Sequence, residues 1–366
     1  MKKMLFLTAV AAAWIACDRD DECRPTADDG QQITILAGIA DSKPVSDVIP
    51  ESKTTITGST AAWKSGDQLG LFCTQSVPAA VNVSFSATGN GASATWSADS
   101  PIYWGAPATT PHTFLAYSPY ASGNSSASAV KVPALNVQTG TVNPALDLLI
   151  SNNLASSGVL RSAGAVGLVF THALSLLEFD ITINSSIAAN TTLTSFTVAA
   201  GSSDKVYTTD GNSTIALSTG AITPGSGVTN TTTMTPGATV TLSATSASVY
   251  VLVLPGTYSQ APTLAINLNE GGTSAIAVPP ASLTTTTFAA GSKYTYAVSI
   301  ARTAITISNP TITDWTNVNG SAINPGLYAA ATVIISQLVM IPVAIRVAGS
   351  IDKYGYWRCI LLALVI

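Results

Sequence analysis

The large apolar residues between positions 166 and 183 alternate with other residues, and this alternation changes phase once. Up to Leu176 they occupy even positions, and from Leu177 onward they occupy odd positions. A period of two is what a half-buried strand needs, because successive side chains point to opposite faces of a sheet. A strand cannot switch faces without an extra residue, so the pattern predicts a bulge or a tight turn at Leu176–Leu177. The alternative is a helix with Phe170, Leu174 and Leu177 on one face, since short apolar runs are ambiguous.

The rest of the chain alternates between short β-prone runs and turn signals. Residues 79–96 alternate and turn at Gly89-Asn90-Gly91, which is a hairpin signal. Two further pairs of runs are expected to be neighbours: residues 239–244 with 248–254, and residues 263–268 with 273–278. Short strands with regular turn signals are typical of β-sandwiches. We therefore predict an all-β fold, with residues 166–183 at the junction of two β domains.

Composition places this β protein outside the cell. Charged residues make up only 9% of the 366 residues, whereas hydrophobic residues make up 47%. Typical soluble domains have about 25% charged residues, and here Ser, Thr, Gly, Asn and Ala replace them. The net charge of -4 provides no basic surface, so we expect no nucleic-acid partner. The four cysteines are scattered without a CxxC pair, which argues against both a disulfide framework and a zinc site.

The first 17 residues have the organisation of a bacterial export signal. Lys2 and Lys3 precede an apolar run too short to span a bilayer, and the segment ends Trp14-Ile15-Ala16-Cys17. This end resembles the lipobox of lipoproteins, in which the cysteine is lipidated. An ordinary signal peptide that contains a cysteine is the alternative. Residues 18–30 are polar and acidic and are predicted to form a disordered tether. Their acidic residues resemble the surface-export signal of Bacteroidota lipoproteins, although a plain linker would have the same composition.

Few residues have the character of a catalytic or metal site. His112 lies between Pro111 and Thr113 and is expected at the surface. His172 is in phase with Phe170 and Leu174, which indicates a core histidine. No Ser or Cys motif accompanies either histidine, and no pair of carboxylates is spaced for acid–base chemistry. We predict no enzymatic activity and no cofactor.

Two weaker binding signals remain. Asp204 and the sequence Asp210-Gly211-Asn212 offer oxygen ligands for calcium but do not match the twelve-residue calcium loop, so a hairpin turn is the preferred interpretation and no metal is predicted. Tyr103 and Trp104 lie in an aromatic, proline-punctuated stretch. They could stack on a sugar, although such aromatics more often belong to a core or its rim.

Several blocks of this sequence together resemble the fimbrillin family, the type V pilins of the Bacteroidota. The matching blocks, in chain order, are the lipobox at Cys17, Trp63 with Gly66-Asp67 and Leu71-Phe72, Tyr103-Trp104, residues 114–120 (FLAYSPY), residues 169–175 (VFTHALS), residues 291–296 (GSKYTY) and residues 312–315 (ITDW). Each block alone is weak, and their shared order makes the resemblance specific.

The resemblance implies two tandem transthyretin-like β-sandwich domains, here residues 31–165 and 166–323, after a lipoprotein signal peptide at residues 1–17. It implies a structural subunit of a surface pilus that supports adhesion and is anchored to the outer membrane through Cys17. In such pilins a protease cuts a loop after the first strand, and a C-terminal strand of a neighbouring subunit fills the groove left behind. The cut usually follows Arg. Here Arg is absent between Arg24 and Arg161, so the matching position is Lys53. The implied partners are therefore other pilin subunits and a processing protease.

Two functional alternatives stay open at this point. One is a monomeric surface lipoprotein that binds glycans through exposed Tyr103 and Trp104. The other is a tip or anchor subunit, which would accept or donate a strand but not both.

Residues 324–366 extend beyond the usual end of the family pattern and are unusually apolar. Residues 332–347 are rich in Val and Ile, which suits a donor strand, with Pro342 tolerated at an edge or bulge. Residues 327–349 are also long enough to span a membrane, with Arg346 near one end. A third interpretation is an altered reading frame or a cloning artefact.

Overall fold

The computed structural model describes residues 30–39, 55–57, 60–91, 93–271 and 274–315. Cys17, Lys53 and residues 324–366, together with the signal peptide and all of the tether except Gly30, lie outside the described residues. Within the described ranges the chain is all-β, as predicted, and its one helical turn is a 3-10 helix at Arg161–Ala163. That part of the chain has no helix with the length and hydrophobicity needed to cross a bilayer.

The strands up to the predicted domain junction differ widely in length. In chain order they are β1 (Thr34–Ile39), β2 (Thr55–Thr57), β3 (Thr60–Ala62), β4 (Gln68–Cys73), β5 (Ala80–Ala87), β6 (Ser93–Ala98), β7 (His112–Ser118), β8 (Val130–Lys131), β9 (Val137–Gln138), β10 (Leu149–Val159) and β11 (Ala165–His172).

The strands after the junction are mostly short, and two long ones dominate. They are β12 (Ser175–Ile183), β13 (Thr191–Ala199), β14 (Tyr207–Thr208), β15 (Thr214–Ala216), β16 (Ala221–Thr223), β17 (Val228–Thr229), β18 (Thr231–Met234), β19 (Val240–Leu242), β20 (Ala247–Val253), β21 (Gly256–Thr257), β22 (Thr263–Glu270), β23 (Ser274–Ala277), β24 (Ala281–Ser282), β25 (Thr287–Phe288), β26 (Ser292–Ala301), β27 (Ala304–Ile307) and β28 (Thr311–Asp314).

Seven strands close into a barrel in the order β1-β11-β10-β7-β4-β5-β6, with β6 returning to β1. Strand β1 runs parallel to β11 and antiparallel to β6. Strand β1, the first of the described strands, therefore closes the barrel and is hydrogen-bonded on both of its edges. Its removal would open the ring between β6 and β11.

The later strands form two larger sheets. One has the order β20-β12-β26-β27, with β28 also on β26, and the other has the order β23-β22-β13-β18-β9, with β19 on β13 and β24 on β22. Strands β8 and β9 precede residue 166 but pair with β15 and β18, which follow it. The division at residues 165 and 166 into two transthyretin-like sandwiches stays a prediction.

The predicted domain junction is two separate strands, and the helical alternative is wrong. Strand β11 belongs to the barrel and β12 to the other sheet, and Ala173 and Leu174 connect them. The turn therefore lies before the predicted position at Leu176–Leu177. The physical reason is that Leu176 and Leu177 are both fully buried. Residues buried on both faces of a sheet no longer alternate, so the pattern there did not report the turn.

Two of the three predicted strand pairs are confirmed. Strands β5 and β6 pair around Gly89-Asn90-Gly91, and β22 pairs with β23. The predicted pairing of residues 239–244 with 248–254 is wrong, because β19 pairs with β13 and β20 pairs with β12. The short connection between them leads from one sheet to the other, and alternation alone cannot distinguish that crossing from a hairpin.

The buried side chains form two hydrophobic clusters. The smaller cluster fills the barrel, and the larger one lies among the later sheets. Strand β10 supplies both, because Leu149 belongs to the smaller cluster and Leu148 and Ile150 belong to the larger. One face of this barrel strand is therefore part of the second core.

Candidate functional site

Strand β1 fills a long apolar groove in the barrel wall. Ile33, Ile35, Ala37 and Ile39 are 2%, 0%, 0% and 5% exposed and belong to the smaller hydrophobic cluster. Of the intervening residues only Thr34 is exposed, whereas Leu36 is 9% exposed and Gly38 is buried. Every second side chain therefore faces the barrel core, and the opposite face of β1 is also covered beyond Thr34. We call the site that β1 occupies between β6 and β11 the β1 groove.

The register of β1 fixes which residues line each position of the groove. Ile35 lies opposite Trp96 of β6 and Val166 of β11. Ala37 lies opposite Ala94 of β6 and Leu168 of β11. The groove therefore offers a large position at residue 35 and a small one two residues later.

An aromatic cluster forms the floor of the groove. The Trp63 ring makes edge contacts with Trp96 at 4.9 Å and with Phe170 at 5.2 Å between ring centroids. Phe170 is the partner of Ile39 on β11, so Trp63 connects the neighbours of Ile35 to the neighbour of Ile39. The backbone of Trp63 is fixed by two reciprocal hydrogen bonds with Gly91, both 2.8 Å. We infer that this large ring occupies the space beneath the middle of β1, where the small Ala37 lies.

The entrance of β1 is held by polar contacts. The Ile33 N–H donates to the Ile102 carbonyl at 2.9 Å, and the Trp104 N–H donates to the Gln31 carbonyl at 3.0 Å. The Arg161 Nε donates to the Gln31 side-chain oxygen at 2.9 Å. Neither β1 nor β6 contains a charged residue. The groove can therefore hold an apolar strand through backbone pairing and side-chain burial.

The two aromatic residues considered for sugar stacking lie beside this entrance, and Trp104 belongs to the core, which is the interpretation that the sequence favoured. Tyr103 is half-buried and exchanges two backbone hydrogen bonds of 2.9 Å with Val77. Trp104 is only 1% exposed, and its ring packs on His112 and Phe114 at 4.9 and 5.9 Å. The description of Trp104 as an exposed aromatic is corrected, because its indole presents no face to a ligand. Tyr103 keeps some exposed surface.

The expectation that His112 is a surface residue is wrong. His112 is 1% exposed and is the first residue of β7, with its side chain in the interior. Its Nε2 accepts the Gly105 N–H at 3.0 Å, and its Nδ1 lies 3.0 Å from the Thr110 carbonyl. Backbone groups satisfy both ring nitrogens, which explains how an imidazole can be buried beside Trp104. Proline at position 111 suggested a turn, but the strand begins immediately after it.

His172 is a core histidine, as predicted. It is 3% exposed, and its Nδ1 lies 2.9 Å from the Asp147 carboxylate. The Trp315 ring stacks on it at 3.9 Å with an angle of 14° between the planes. The Trp315 N–H donates to the Gly291 carbonyl at 2.6 Å. The ring stacking and this backbone hydrogen bond hold Trp315, the last described residue, against the end of β11 and the residue before β26.

The two aspartates considered as calcium ligands, Asp204 and Asp210, instead accept hydrogen bonds in turns. The hairpin expected at Asp210-Gly211-Asn212 is wrong, because the strands on either side of it, β14 and β15, pair with other strands and not with each other. Asp204 accepts the Ser259 hydroxyl at 2.7 Å and the Ser259 N–H at 3.0 Å, and these hydrogen bonds lower the pKa of Asp204. Asp210 accepts from Asn212, two residues later. Within the described ranges no three His, Cys, Asp or Glu side chains converge as metal ligands.

Cys73 is a buried free thiol whose pKa is raised by burial. It lies among the side chains that fill the barrel.

In the sequence, residues 31–39 look like one of several short β-prone runs. Nothing local distinguishes the small residue at position 37 or marks Trp63 as part of the same core. A period of two is nevertheless present as Ile33, Ile35, Ala37 and Ile39 at every second position. What the sequence did not reveal was that β11, remote in sequence, would lie beside this run.

Solved structures with a similar fold come from Bacteroides species. A candidate cell adhesion protein from Bacteroides uniformis is similar with a TM-score of 0.52 at 19% identity, over 78% of this chain and 98% of that chain. A second candidate cell adhesion protein, from Bacteroides ovatus, has a TM-score of 0.50 at 15% identity, over 79% and 99% of the two chains. At these identities the likeness shows a shared fold. No curated protein matches the sequence significantly.

A protein-family model also matches most of this chain. The model of the fimbrillin-like family matches residues 54–315, which is well over half of the chain. The match begins directly after the segment that contains Lys53 and ends at Trp315, the last described residue. The chain therefore belongs to the fimbrillin-like family.

Proposed function

We propose that this protein is a structural subunit of a cell-surface pilus that assembles by donor-strand exchange and supports adhesion. The observation that carries the proposal is the position of β1, which completes the barrel with both edges paired and one face in the core. Membership of the fimbrillin-like family and the fold shared with candidate cell adhesion proteins support a surface location. The partners are other pilin subunits.

Residues 40–54 connect β1 to β2 and include Lys53. Cleavage after Lys53 by a processing protease would leave β1 attached to the barrel through non-covalent contacts alone. We further propose that Cys17 carries the lipid that retains the chain at the outer membrane before assembly. Two or three acyl chains give stable anchoring where one chain does not.

The energetics favour replacement of β1 once it has left. Burial of a large aliphatic side chain contributes about 1.5–3 kcal/mol, and Ile33, directly before β1, and Ile35 and Ile39 within it are buried in this way. Each recovered backbone hydrogen bond adds about 0.5–1.5 kcal/mol. An empty groove would leave β6 and β11 as open edges beside exposed apolar surface, which is a template for strand addition. Capture of a strand from a neighbouring subunit would restore both the side-chain burial and the backbone hydrogen bonds.

The chain beginning at Asp18, treated with a lysine-specific protease, tests the proposal. We expect a ladder of oligomers on an unheated denaturing gel that collapses on heating. Lys53→Ala should abolish the ladder, whereas Lys43→Ala, a matched change in the same segment, should leave it intact. Intact mass identifies the cleaved bond.

A single band despite cleavage at Lys53 would contradict a polymerising stalk subunit and would favour a tip or an anchor subunit. A ladder that persists in Lys53→Ala would contradict Lys53 as the processing position. The glycan-binding alternative gains no support from the buried ring of Trp104.

A further inference from the structure

We infer that residues 345–351 of this chain are the segment that the β1 groove of a neighbouring subunit accepts, and that Gly349 takes the place of Ala37. This inference rests on the proposed strand exchange and deepens it. It names the donor segment, its direction and its register, residue by residue.

The groove imposes a specific pattern on any strand that replaces β1. Positions 33, 35 and 39 hold large aliphatic side chains that are at most 5% exposed. Position 37 holds a residue with a single methyl group, paired with Ala94 and Leu168, in the same hydrophobic cluster as the Trp63 ring. Packed cores reject added methylene groups because neighbours must shift or adopt unfavourable rotamers. A donor strand therefore needs large residues at its first, third and seventh positions and a small residue at its fifth.

The sequence from 345 to 351 matches this pattern at every position. Ile345, Val347 and Ile351 correspond to the three large positions, and Gly349 corresponds to Ala37. Arg346 falls at the position of Thr34, which is exposed and so can accommodate a charge.

No other window in residues 324–366 fits in the same direction. The requirement is Ile, Val, Leu, Met or an aromatic residue at the first, third and seventh positions, with Ala, Gly or Ser at the fifth, and only the window beginning at Ile345 meets it. In the opposite direction residues 334–340 fit, with Ser336 at the small position. The donor proposed from sequence, residues 332–347, overlaps both windows. We choose residues 345–351 because a replacement in the direction of β1 preserves parallel pairing with β11 and antiparallel pairing with β6.

Cross-linking between subunits tests the register. In the intact barrel Leu36 is paired with Thr95 of β6, an exposed residue, and the inferred register places Ala348 at that position. We would combine Thr95→Cys with Ala348→Cys in the chain beginning at Asp18, with Cys23 and Cys359 changed to Ser. After cleavage and mild oxidation, we expect a ladder that survives boiling and collapses with reductant. The matched control, Thr95→Cys with Ala344→Cys, should give only the heat-sensitive ladder.

The possible outcomes separate this inference from the proposed function. A cross-link with Ala344→Cys would show another register, and one with Gln337→Cys would show the reversed segment; either overturns the inference while strand exchange stands. A heat-sensitive ladder that none of the cysteine pairs can fix also overturns it. Absence of any ladder in the parent chain would overturn the proposed strand exchange and this inference together.

A second variant tests the small position itself. We expect Gly349→Val to slow ladder formation about ten-fold or more, because the added carbons meet the Trp63 floor. Ala348→Val places similar bulk at the position of Leu36, which already holds a larger side chain, and should change the rate less than two-fold. The melting temperature of each uncleaved chain controls for folding. Equal rates for the two variants would contradict the size limit at position 37.

Discussion

At the scale of single residues, the barrel depends on the distribution of large and small side chains along β1. Ala37 is fully buried and contributes little volume, and it belongs to the same hydrophobic cluster as Trp63, Trp96 and Phe170, whose rings contact one another. Such an aromatic group supplies much of the buried area of a core. The small residue on β1 is therefore the complement of a large ring on another part of the chain.

This complementarity predicts the effect of enlarging residue 37. Ala37→Val should lower the free energy of unfolding of the uncleaved chain by about 1–3 kcal/mol, because overpacking forces neighbours out of position. Thr34→Val, on the exposed side of β1, should change it by less than about 0.5 kcal/mol. Urea unfolding followed by tryptophan fluorescence measures both. A neutral Ala37→Val would show that the floor can move, and would weaken the size limit on a donor strand as well.

At the scale of strands, one edge of a sheet is closed by a side chain. The Gln138 amide donates to the Leu252 carbonyl at 2.9 Å and accepts the Leu252 N–H at 2.8 Å, so it substitutes for a neighbouring strand along β20. Gln138 is 4% exposed. Side-chain cover of this kind protects an edge that would otherwise be free to pair with another chain.

Loss of this cover should be costly. We expect Gln138→Leu to reduce the free energy of unfolding by roughly 2–4 kcal/mol, since a buried donor and a buried acceptor of Leu252 lose their partners. The neighbouring Val137 is 65% exposed, and Val137→Ala serves as the control with little expected effect. Chemical denaturation of both variants gives the comparison. A Gln138→Leu variant as stable as the parent would contradict the role of the amide as an edge cap.

The buried carboxylate of Glu178 links strands β12, β20 and β26. Glu178 accepts from Lys293 at 2.9 Å, from the Thr295 hydroxyl at 2.9 Å and from the Tyr250 hydroxyl at 3.0 Å. Burial alone would raise the pKa of Glu178, but these hydrogen bonds outweigh it and the pKa is lowered. The same carboxylate, together with burial, raises the pKa of Tyr250 to about 12.

The lowered pKa of Glu178 sets the sign of a pH effect. The ionised form is favoured by folding, so its contribution is complete above the pKa of the unfolded chain and is lost as the pH falls through the folded pKa. We expect Glu178→Gln to destabilise the protein clearly at pH 7, with the difference from the parent shrinking below about pH 4. Glu270→Gln removes a more exposed ion pair with Arg302 and should cost less at every pH. Urea unfolding from pH 3 to pH 7 distinguishes these outcomes, and a difference independent of pH would contradict the argument.

Local sequence patterns predicted strands well where one face is buried and the other is wet. The β5–β6 hairpin and the alternation of β26 were predictable for this reason. The pattern failed at Leu176 and Leu177, where both faces are covered, and at β19 and β20, which belong to different sheets. For the groove, the sequence shows which side chains of β1 face the core, because they recur at every second position. It does not show the walls of the groove, because β6 and β11 are remote from β1 along the chain and long-range register leaves no local signal.

At the scale of the whole molecule, the two hydrophobic clusters share a wall. Strands β10, β7 and β4 are neighbours in the barrel. Leu149, Ala116 and Leu71 point into the smaller cluster, whereas their neighbours along the chain, Ile150, Tyr117 and Phe72, belong to the larger one. Unfolding of the barrel would therefore expose part of the other core. We propose that the two predicted domains, residues 31–165 and 166–323, are coupled through this wall.

The shared wall predicts a single unfolding transition for the uncleaved chain. Leu71→Ala acts in the smaller cluster and Leu135→Ala in the larger, and both residues are fully buried. Each truncation should cost about 2–5 kcal/mol, and each should lower the midpoint of the same calorimetric transition. The ratio of calorimetric to van't Hoff enthalpy should be near one for the parent and for both variants. Two transitions, with each variant moving only one of them, would instead mean that the two hydrophobic clusters unfold independently. In that case strand exchange at the barrel would leave the larger cluster undisturbed.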